Sequence, residues 1–569
     1  MGLTDSVPSS EPRECAANDR TNTDDRGVLS VKTHCLPFAQ VPHTTRLFLD
    51  YLSYTPSIRE FYPRSPLFPE WVKEEAARVR YDDGRRKIVA DILDKQNRTF
   101  GAGAKTFANI ERLKQGAFAA VTGQQVGLFG GPLFSIFKAL TAVKLAEEAT
   151  AAGVDCVPIF WLATEDHDLA EVNHVALISE AGIPEKLAVD SHGLQDAPVG
   201  TITLGSEITA VVERAAALFG DTEVAIWLRE SYRPEETMGS AFARLMARLF
   251  ADWGVILLDQ SDAAFHQLAK PILRQAVERS GELDDALLKR GKALESAGYH
   301  QQVKVTPATT LLFEIKDGAR TVVRRKTNGT ESEFAIGDQR SSAQQLLDRI
   351  DSNPGNFSPN VLLRPIVQDY LLPTLAYTGG AAEVAYFAQV GVVYEKLLGR
   401  VTPVLPRFSA TVVEPKPQRL LEKYRLALPD LFQGPEKLRE IIATRTLPSD
   451  LQGRLDEAKV ALEKSLNGIR EALARLDSTL VDAASNAEEK MKYQLTQLEA
   501  RAARAEVQRN DVITRHAESL SSALYPNKAL QEREIAGVSF VARYGPELLH
   551  NLYEAIHTDC HDHQVVEIG

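Results

Sequence analysis

Ala117-Phe-Ala-Ala-Val-Thr-Gly-Gln-Gln-Val-Gly-Leu-Phe-Gly-Gly-Pro-Leu133 is the stretch whose reading decides the fold. Its first five residues are a short apolar run of the kind that makes a buried strand. Its end enters Leu133 to Glu148, where Ile136, Leu140 and Val143 recur at helical spacing. Pro132 suits a first helical position, because no N–H donor is needed there. The next apolar run, Val157-Pro-Ile-Phe-Trp-Leu-Ala163, reads as a second buried strand. Strand, loop, helix and strand in that order predict a parallel sheet. Val255-Ile-Leu-Leu-Asp259, followed by helical sequence, adds another strand, so the expected fold class is α/β.

Upstream, Pro69 to Gln115 has a helical pattern with a break at Gly101-Ala-Gly103. Downstream, Val, Thr, Leu, Phe and Ile alternate between Val303 and Phe334, and the interruptions Asp317-Gly318 and Asn328-Gly329 predict hairpins inserted into or beside the core. Pro-rich loops around Asn360 to Asp369 and Gly379 to Glu383 are candidate pocket walls. From Pro448 to Pro526 no proline intervenes, and Leu455, Leu462, Ile469 and Leu476 repeat every seven residues, with Leu466, Leu473 and Leu480 four places on. That is a coiled-coil seam, slipping register near Ala487 to Met491 and continuing through Leu495, Leu498 and Ala502. Such a stripe must be covered by another helix, around Gln418 to Thr444, or by a second subunit. The expected organisation is a disordered tail over 1–35, a core over 36–415 with inserted helical and hairpin regions, a coiled-coil arm over 416–525, and a segment over 526–569 that returns to the core.

A chain of 569 residues exceeds the roughly 250 to 300 at which single cores stop growing. A net charge of −12 opposes non-specific nucleic-acid binding, and no basic run is interleaved with aromatics. No window approaches the roughly 18 consecutive apolar residues of a membrane span. The polar start, with Asp5, Glu11, Glu14 and Asp19, lacks a signal peptide's regions, so the expected compartment is the cytoplasm. Cys15, Cys35, Cys156 and Cys560 are scattered, as where thiols stay reduced.

Four constellations could carry chemistry. Gly123 to Gly131 lies between strand and helix, where backbone N–H groups and the helix dipole favour a phosphate or carboxylate; the alternative is a tight turn whose glycines permit positive φ or close packing. It has neither Walker A nor GxGxxG spacing, and Gly101-Ala-Gly-Ala-Lys-Thr106 reads as a helix break. Thr164-Glu-Asp-His-Asp168, with Glu171 and His174, follows the second strand at the edge where open α/β sheets bind ligands. Glu165, Asp166 and Asp168 suit an ammonium group, sugar hydroxyls or phosphate-bound Mg²⁺. In a continuous helix His167, Glu171 and His174 would share one face, as for a transition metal; a capped helix start with an exposed acidic turn is the other reading. Arg364, Gln368 and Asp369 suggest a polar face on a cavity or a buried ion pair, and Lys138 and Arg407 could neutralise an anion or be solvated surface. His557, Cys560, His561 and His563 are either a soft-ligand cluster or a tail.

Thr122-Gly-Gln-Gln-Val-Gly-Leu-Phe-Gly-Gly-Pro132 with Lys138, Phe160-Trp-Leu-Ala-Thr-Glu-Asp-His-Asp168 with Glu171 and His174, and Pro359-Asn-Val-Leu-Leu-Arg-Pro-Ile-Val-Gln-Asp369 with Pro373-Thr374 together resemble the bacillithiol synthase (BshC) family. The resemblance runs from about Pro37 to the C-terminus. Gly379-Gly-Ala-Ala-Glu383 departs from it by lacking a proline between the glycines and the glutamate. The resemblance implies a Rossmann-like parallel-sheet core with inserted connecting regions, a C-terminal α-helical coiled coil and a homodimer. It also implies ligation of L-cysteine to glucosaminyl-malate, the last step of bacillithiol formation. ATP, with or without Mg²⁺, is the expected co-substrate, since a free carboxylate must be activated; the synthetase signatures HxGH and KMSKS are absent. On this reading the Gly123 to Gly131 backbone, Lys138 and Arg364 hold a phosphate or the malate carboxylates. Glu165, Asp166 and Asp168 orient the sugar or a magnesium ion, and Asp166 with His167 or His174 is the catalytic candidate, a histidine deprotonating the amine. Thr122, Gly123, Gln124, Gln125, Gly127, Gly130, Gln368, Asp369, Glu383 and Arg407 complete the expected binding set, with no protein-bound metal. The rivals are a non-catalytic coiled-coil adaptor whose α/β part senses a nucleotide or metabolite, and a metal-dependent hydrolase built on His167, Glu171 and His174.

Overall fold

The computed structural model describes residues 31–179, 182–190, 196–328 and 331–569. Its contacts divide the chain into a unit of residues up to Thr411 with Glu532–Val566, and a unit of Val412–Gln531 with Glu567–Gly569. The strands Ala410–Val413 and His563–Ile568 each contain a crossing point. Of the expected tail, residues 1–30 lie outside the described residues, and Val31–Leu36 instead form a strand.

The first unit is built on five parallel strands: β1 Phe118–Gln124, β2 Cys156–Leu162, β3 Ile256–Asp259, β4 Thr374–Gly379 and β5 Val404–Pro406. Their order across the sheet is β5-β4-β1-β2-β3. β2 and β4 are buried along their whole length, which is why they read as continuous apolar or small-residue runs without alternation. The chain leaves β1 through helix α1, Phe134–Ala151, and crosses to β2 on one side. It returns much later to β4 on the other side of β1, and proceeds through α3, Ala381–Leu398, to β5. The order therefore reverses between β1 and β4. The glycine-rich stretch had already pointed to β1, α1 and β2, but β4 was hidden: Thr374-Leu-Ala-Tyr-Thr-Gly379 follows Pro373 in a segment read as loop. In the structure Pro373 only opens the strand, and α2, Arg364–Leu371, precedes it.

Thr309–Lys316 pairs with Ala319–Asn328 around Asp317-Gly318, both at positive φ, as a two-residue hairpin requires. With Glu331–Ile336, Gln339–Ser342 and Phe357–Pro359 they form a five-stranded antiparallel sheet inserted between β3 and β4. The expected turn at Asn328-Gly329 runs beyond the described residues at Gly329.

In the second unit α4, Ser449–Leu476, packs on α5, Val481–Arg509. Lys459 reaches Glu499 at 2.8 Å, and Arg470 pairs with Glu488, so the two helices are antiparallel. The expected seam breaks at Asp477 to Leu480, ahead of the slip read near Ala487 to Met491: Asp477 leaves helical geometry, its carboxylate accepts from Thr479 N, and the turn Ser478–Leu480 starts the return. Pro435–Arg445 also packs on α5. No helix among the described residues is long and apolar enough to cross a membrane.

Candidate active site

Reversal of strand order opens a crevice at the carboxyl ends of β1 and β4, because the loops leaving them run in opposite directions. A cavity of about 470 Å³ lies there. Gly123, Gln124 and Gln125 from the end of β1, and Gly380, Ala382 and Glu383 from the start of α3, form two of its edges. Gly123 is required by close packing: a Cβ there would sit 3.2 Å from both the Cβ and the carbonyl oxygen of Trp161 on β2.

One wall is basic. Lys138 reaches Glu383 at 2.6 Å and donates to Gly123 O at 2.7 Å and Gln124 Oε1 at 2.9 Å, so all three ammonium donors are used within the protein. Burial works to raise the Glu383 carboxyl, but Lys138 together with the hydrogen bonds from Tyr377 and Gly380 holds it below the usual range; burial lowers Lys138, with Glu383 opposing. Glu383 also accepts from Tyr377 Oη at 2.5 Å and Gly380 N at 2.8 Å. The pair is thus a neutral brace. Arg364 lies over the Tyr377 ring and donates to Tyr386 Oη and Gln368 Oε1, both at 3.1 Å, without a carboxylate partner. Arg407 is paired with buried Glu532 at 2.7 Å, yet its Nε is buried with no hydrogen-bond partner. Arg533 stands on the same wall. Guanidinium forks of this kind suit carboxylate or phosphate.

Carboxylates gather around Gln125. Gln125 Nε2 donates to Asp166 Oδ2 at 2.8 Å and to Glu171 Oε2 at 2.9 Å, tying two carboxylates to the end of β1. Glu171 lines the cavity and Asp168 is exposed. Asp166 Oδ1 accepts from His167 N at 2.7 Å.

Several expected residues take other parts. Glu165 turns into the core and pairs with His266 at 2.7 Å; burial works against the imidazolium there, but Glu165 together with the backbone at Pro354 and Phe357 raises the His266 pKa. Thr122 is buried and donates to Thr378 O, while Gln368 donates to Asp369 and Asp369 accepts from Tyr394, so these three support the wall from behind. The expected anion cradle at Gly127 and Gly130 is corrected. Both are buried; their N–H groups go to Gln125 O and Gly127 O, and Gly130 N also meets Tyr232 Oη. At these two glycines the stretch is a tight turn whose N–H groups are used within the chain.

His167, Glu171 and His174 do not share a helical face. The helix is only Leu169–Val172, and His174 opens a strand. Among the described residues no group of three or more His, Cys, Asp or Glu is arranged to hold a metal ion. His561 and His563 diverge, one to Pro66 O and the other between Ser409 and Thr411. Tyr377, Tyr386, Phe134 and Arg533 were not anticipated. Tyr386 had a legible signal, three residues after Glu383 on a helix face; Arg533, in Gln531-Glu-Arg-Glu534, had none.

Residues 31–408 match the family model described as Bacillithiol biosynthesis BshC, N-terminal Rossmann-like domain, and residues 410–568 match its C-terminal coiled-coil domain. A protein of Koribacter versatilis named "Putative cysteine ligase BshC" is 46% identical over 94% of this chain and 99% of its own length. Proteins of the same name from Solibacter usitatus and Salinibacter ruber are 38% and 34% identical, each over 94% of this chain and 99% and 98% of their own. With a Rossmann-like sheet carrying a crevice at its switch point and a helical coiled-coil unit matched in turn, the chain belongs to the bacillithiol biosynthesis BshC family.

Proposed function

We propose that the protein is a ligase that joins the carboxyl group of L-cysteine to the amine of glucosaminyl-malate, the last step of bacillithiol formation. The observation that carries this reading is the polarity of the cavity. Arg364, Arg407 and Arg533 line it, and so does Glu171, whose carboxylate shares Gln125 Nε2 with Asp166. Glucosaminyl-malate has the complementary polarity, two carboxylates at one end and an amine at the other. Bound that way, its malate meets the arginines and its amine meets Asp166, which orients the nitrogen for attack.

An amide cannot form from a free carboxylate without loss of oxygen, so the cysteine carboxyl must be activated. On that chemical ground we assign ATP as co-substrate; none of the residue roles above depends on it. A homodimer in the cytoplasm completes the proposal. Purified protein supplied with cysteine, glucosaminyl-malate and ATP is expected to yield bacillithiol by mass spectrometry, and omission of ATP to abolish it. Absence of product with all three present overturns the ligase reading. Full activity in Asp166→Asn removes that residue from the scheme.

A further inference from the structure

The inserted antiparallel sheet delivers one side chain to His167, the residue after Asp166. Arg320, just past the Asp317-Gly318 turn, donates through Nε to Ser358 Oγ at 2.9 Å and through Nη2 to Pro359 O at 2.7 Å. Its guanidinium carbon lies 4.0 Å from the centre of the Phe313 ring. So fixed, its Nη1 sits 3.2 Å from Nδ1 of His167.

A guanidinium has only N–H donors and keeps its proton. A hydrogen bond between Arg320 and His167 therefore requires Nδ1 of His167 to be the acceptor, which places the ring proton on Nε2. The charged neighbours agree. Asp166 Oδ1 is 3.6 Å from the same Nδ1, too far for a hydrogen bond, and already accepts from His167 N. Glu165, the other carboxylate acting on Arg320, is engaged by His266. A doubly protonated His167 would turn an N–H towards a fixed cation.

We infer that Arg320 is a positioning residue that locks His167 as the neutral Nε2–H tautomer, so that His167 serves as a hydrogen-bond donor to a substrate oxygen beside Asp166 and not as the base that deprotonates the amine. The substrate part of this inference rests on the ligase reading; the tautomer does not. It replaces the expectation of His167 as a proton acceptor, and it gives the inserted sheet a task at the site.

Long-range ¹H–¹⁵N spectra of the full chain labelled with ¹⁵N-histidine, with the resonances assigned by His167→Gln, test it without substrate. The wild-type ring is expected to show an unprotonated Nδ1 and a proton-bearing Nε2 at neutral pH. Arg320→Met is expected to lose that signature and to lower kcat about tenfold or more with KM within about twofold, since a hydrogen bond to a charged group is removed. Arg320→Lys restores both in large part. A wild-type His167 that is doubly protonated or carries its proton on Nδ1 overturns the proposal, as does an unchanged signature in Arg320→Met. If Arg320→Met fails to fold by circular dichroism, the wild-type spectrum decides alone. An intact tautomer in a protein that makes no bacillithiol would sink the ligase reading and the substrate role, while leaving the Arg320 lock standing.

Discussion

Arg364 and His563 show how differently two basic side chains behave when one is half-buried at a cavity wall and the other is enclosed between two hydroxyls. Arg364 keeps donors available beyond Tyr386 and Gln368, and its charge has no acidic partner within bonding distance. Removing it takes away a charge-assisted contact worth about 1.5 to 3 kcal/mol, so Arg364→Ala should raise KM for glucosaminyl-malate by about 10- to 150-fold while leaving KM for cysteine nearly unchanged. Initial-rate kinetics with each substrate varied in turn check this; equal effects on both would detach Arg364 from the malate end. His563 is fully buried between Ser409 Oγ at 2.8 Å and Thr411 Oγ1 at 2.9 Å, and desolvation lowers its pKa from 6.5 to about 4. Below pH 6.5 the unfolded chain takes up a proton that the folded chain refuses until about pH 4. Stability from this group is thus fully present above pH 6.5 and drains away as pH falls towards 4. Between pH 7.5 and 5 the loss is about 2 kcal/mol, and His563→Asn should remove that share of the pH dependence in urea unfolding. An unchanged slope would mean that His563 is not held neutral.

At the scale of elements, the turn between β1 and α1 separates two readings that the letters alone left open. Gly130 has φ +84° and would place a Cβ 3.4 Å from Leu245, and a Cβ on Gly127 would lie 3.0 Å from Gly131 Cα. Gly130→Ala should therefore lower stability by about 1 to 2 kcal/mol, seen in the denaturation midpoint, with KM for either substrate within about twofold. A large KM effect at unchanged stability would restore the anion cradle. The contrast explains what was legible. Periodicity and composition gave β1, α1, β2 and β3, because each is a single uninterrupted run whose burial is uniform or one-faced. β4 escaped because Pro373 and Gly379 bracket a six-residue strand of mixed small and polar residues, Thr374 and Thr378 among them, whose place inside the sheet is settled by tertiary pairing with β1 and β5. Likewise, spacing brought Gln125, Asp166 and Glu171 under suspicion. It could not show that Glu165 turns the other way to His266, since adjacent residues leaving a strand point to opposite sides.

Over the whole molecule the seven-residue leucine repeat announced a helical unit, but not how its stripe is shared. Within that unit, Leu455 and Leu466 are buried, as are Ala484 and Ala503. Ile469 and Leu476, which occupy the same heptad seam, are 51% and 76% exposed, and Leu498 on α5 is 56% exposed. The antiparallel hairpin thus buries part of the seam and leaves apolar side chains of both helices uncovered. A repeat kept apolar beyond what its own partner helix covers is a surface that the second copy of the proposed homodimer would cover. Light scattering behind size exclusion should then give twice the chain mass of 62.7 kDa for the wild type at micromolar concentration. Ile469→Glu combined with Leu476→Glu should shift it to the monomer mass. Both positions are already solvent-exposed in the isolated chain, so the double variant should keep its denaturation midpoint within about 0.5 kcal/mol per site when measured at concentrations where the wild type is also dissociated. A wild type that remains monomeric across that range would remove the second copy as the cover for this seam. A dimer untouched by the two glutamates would place the contact elsewhere on the chain.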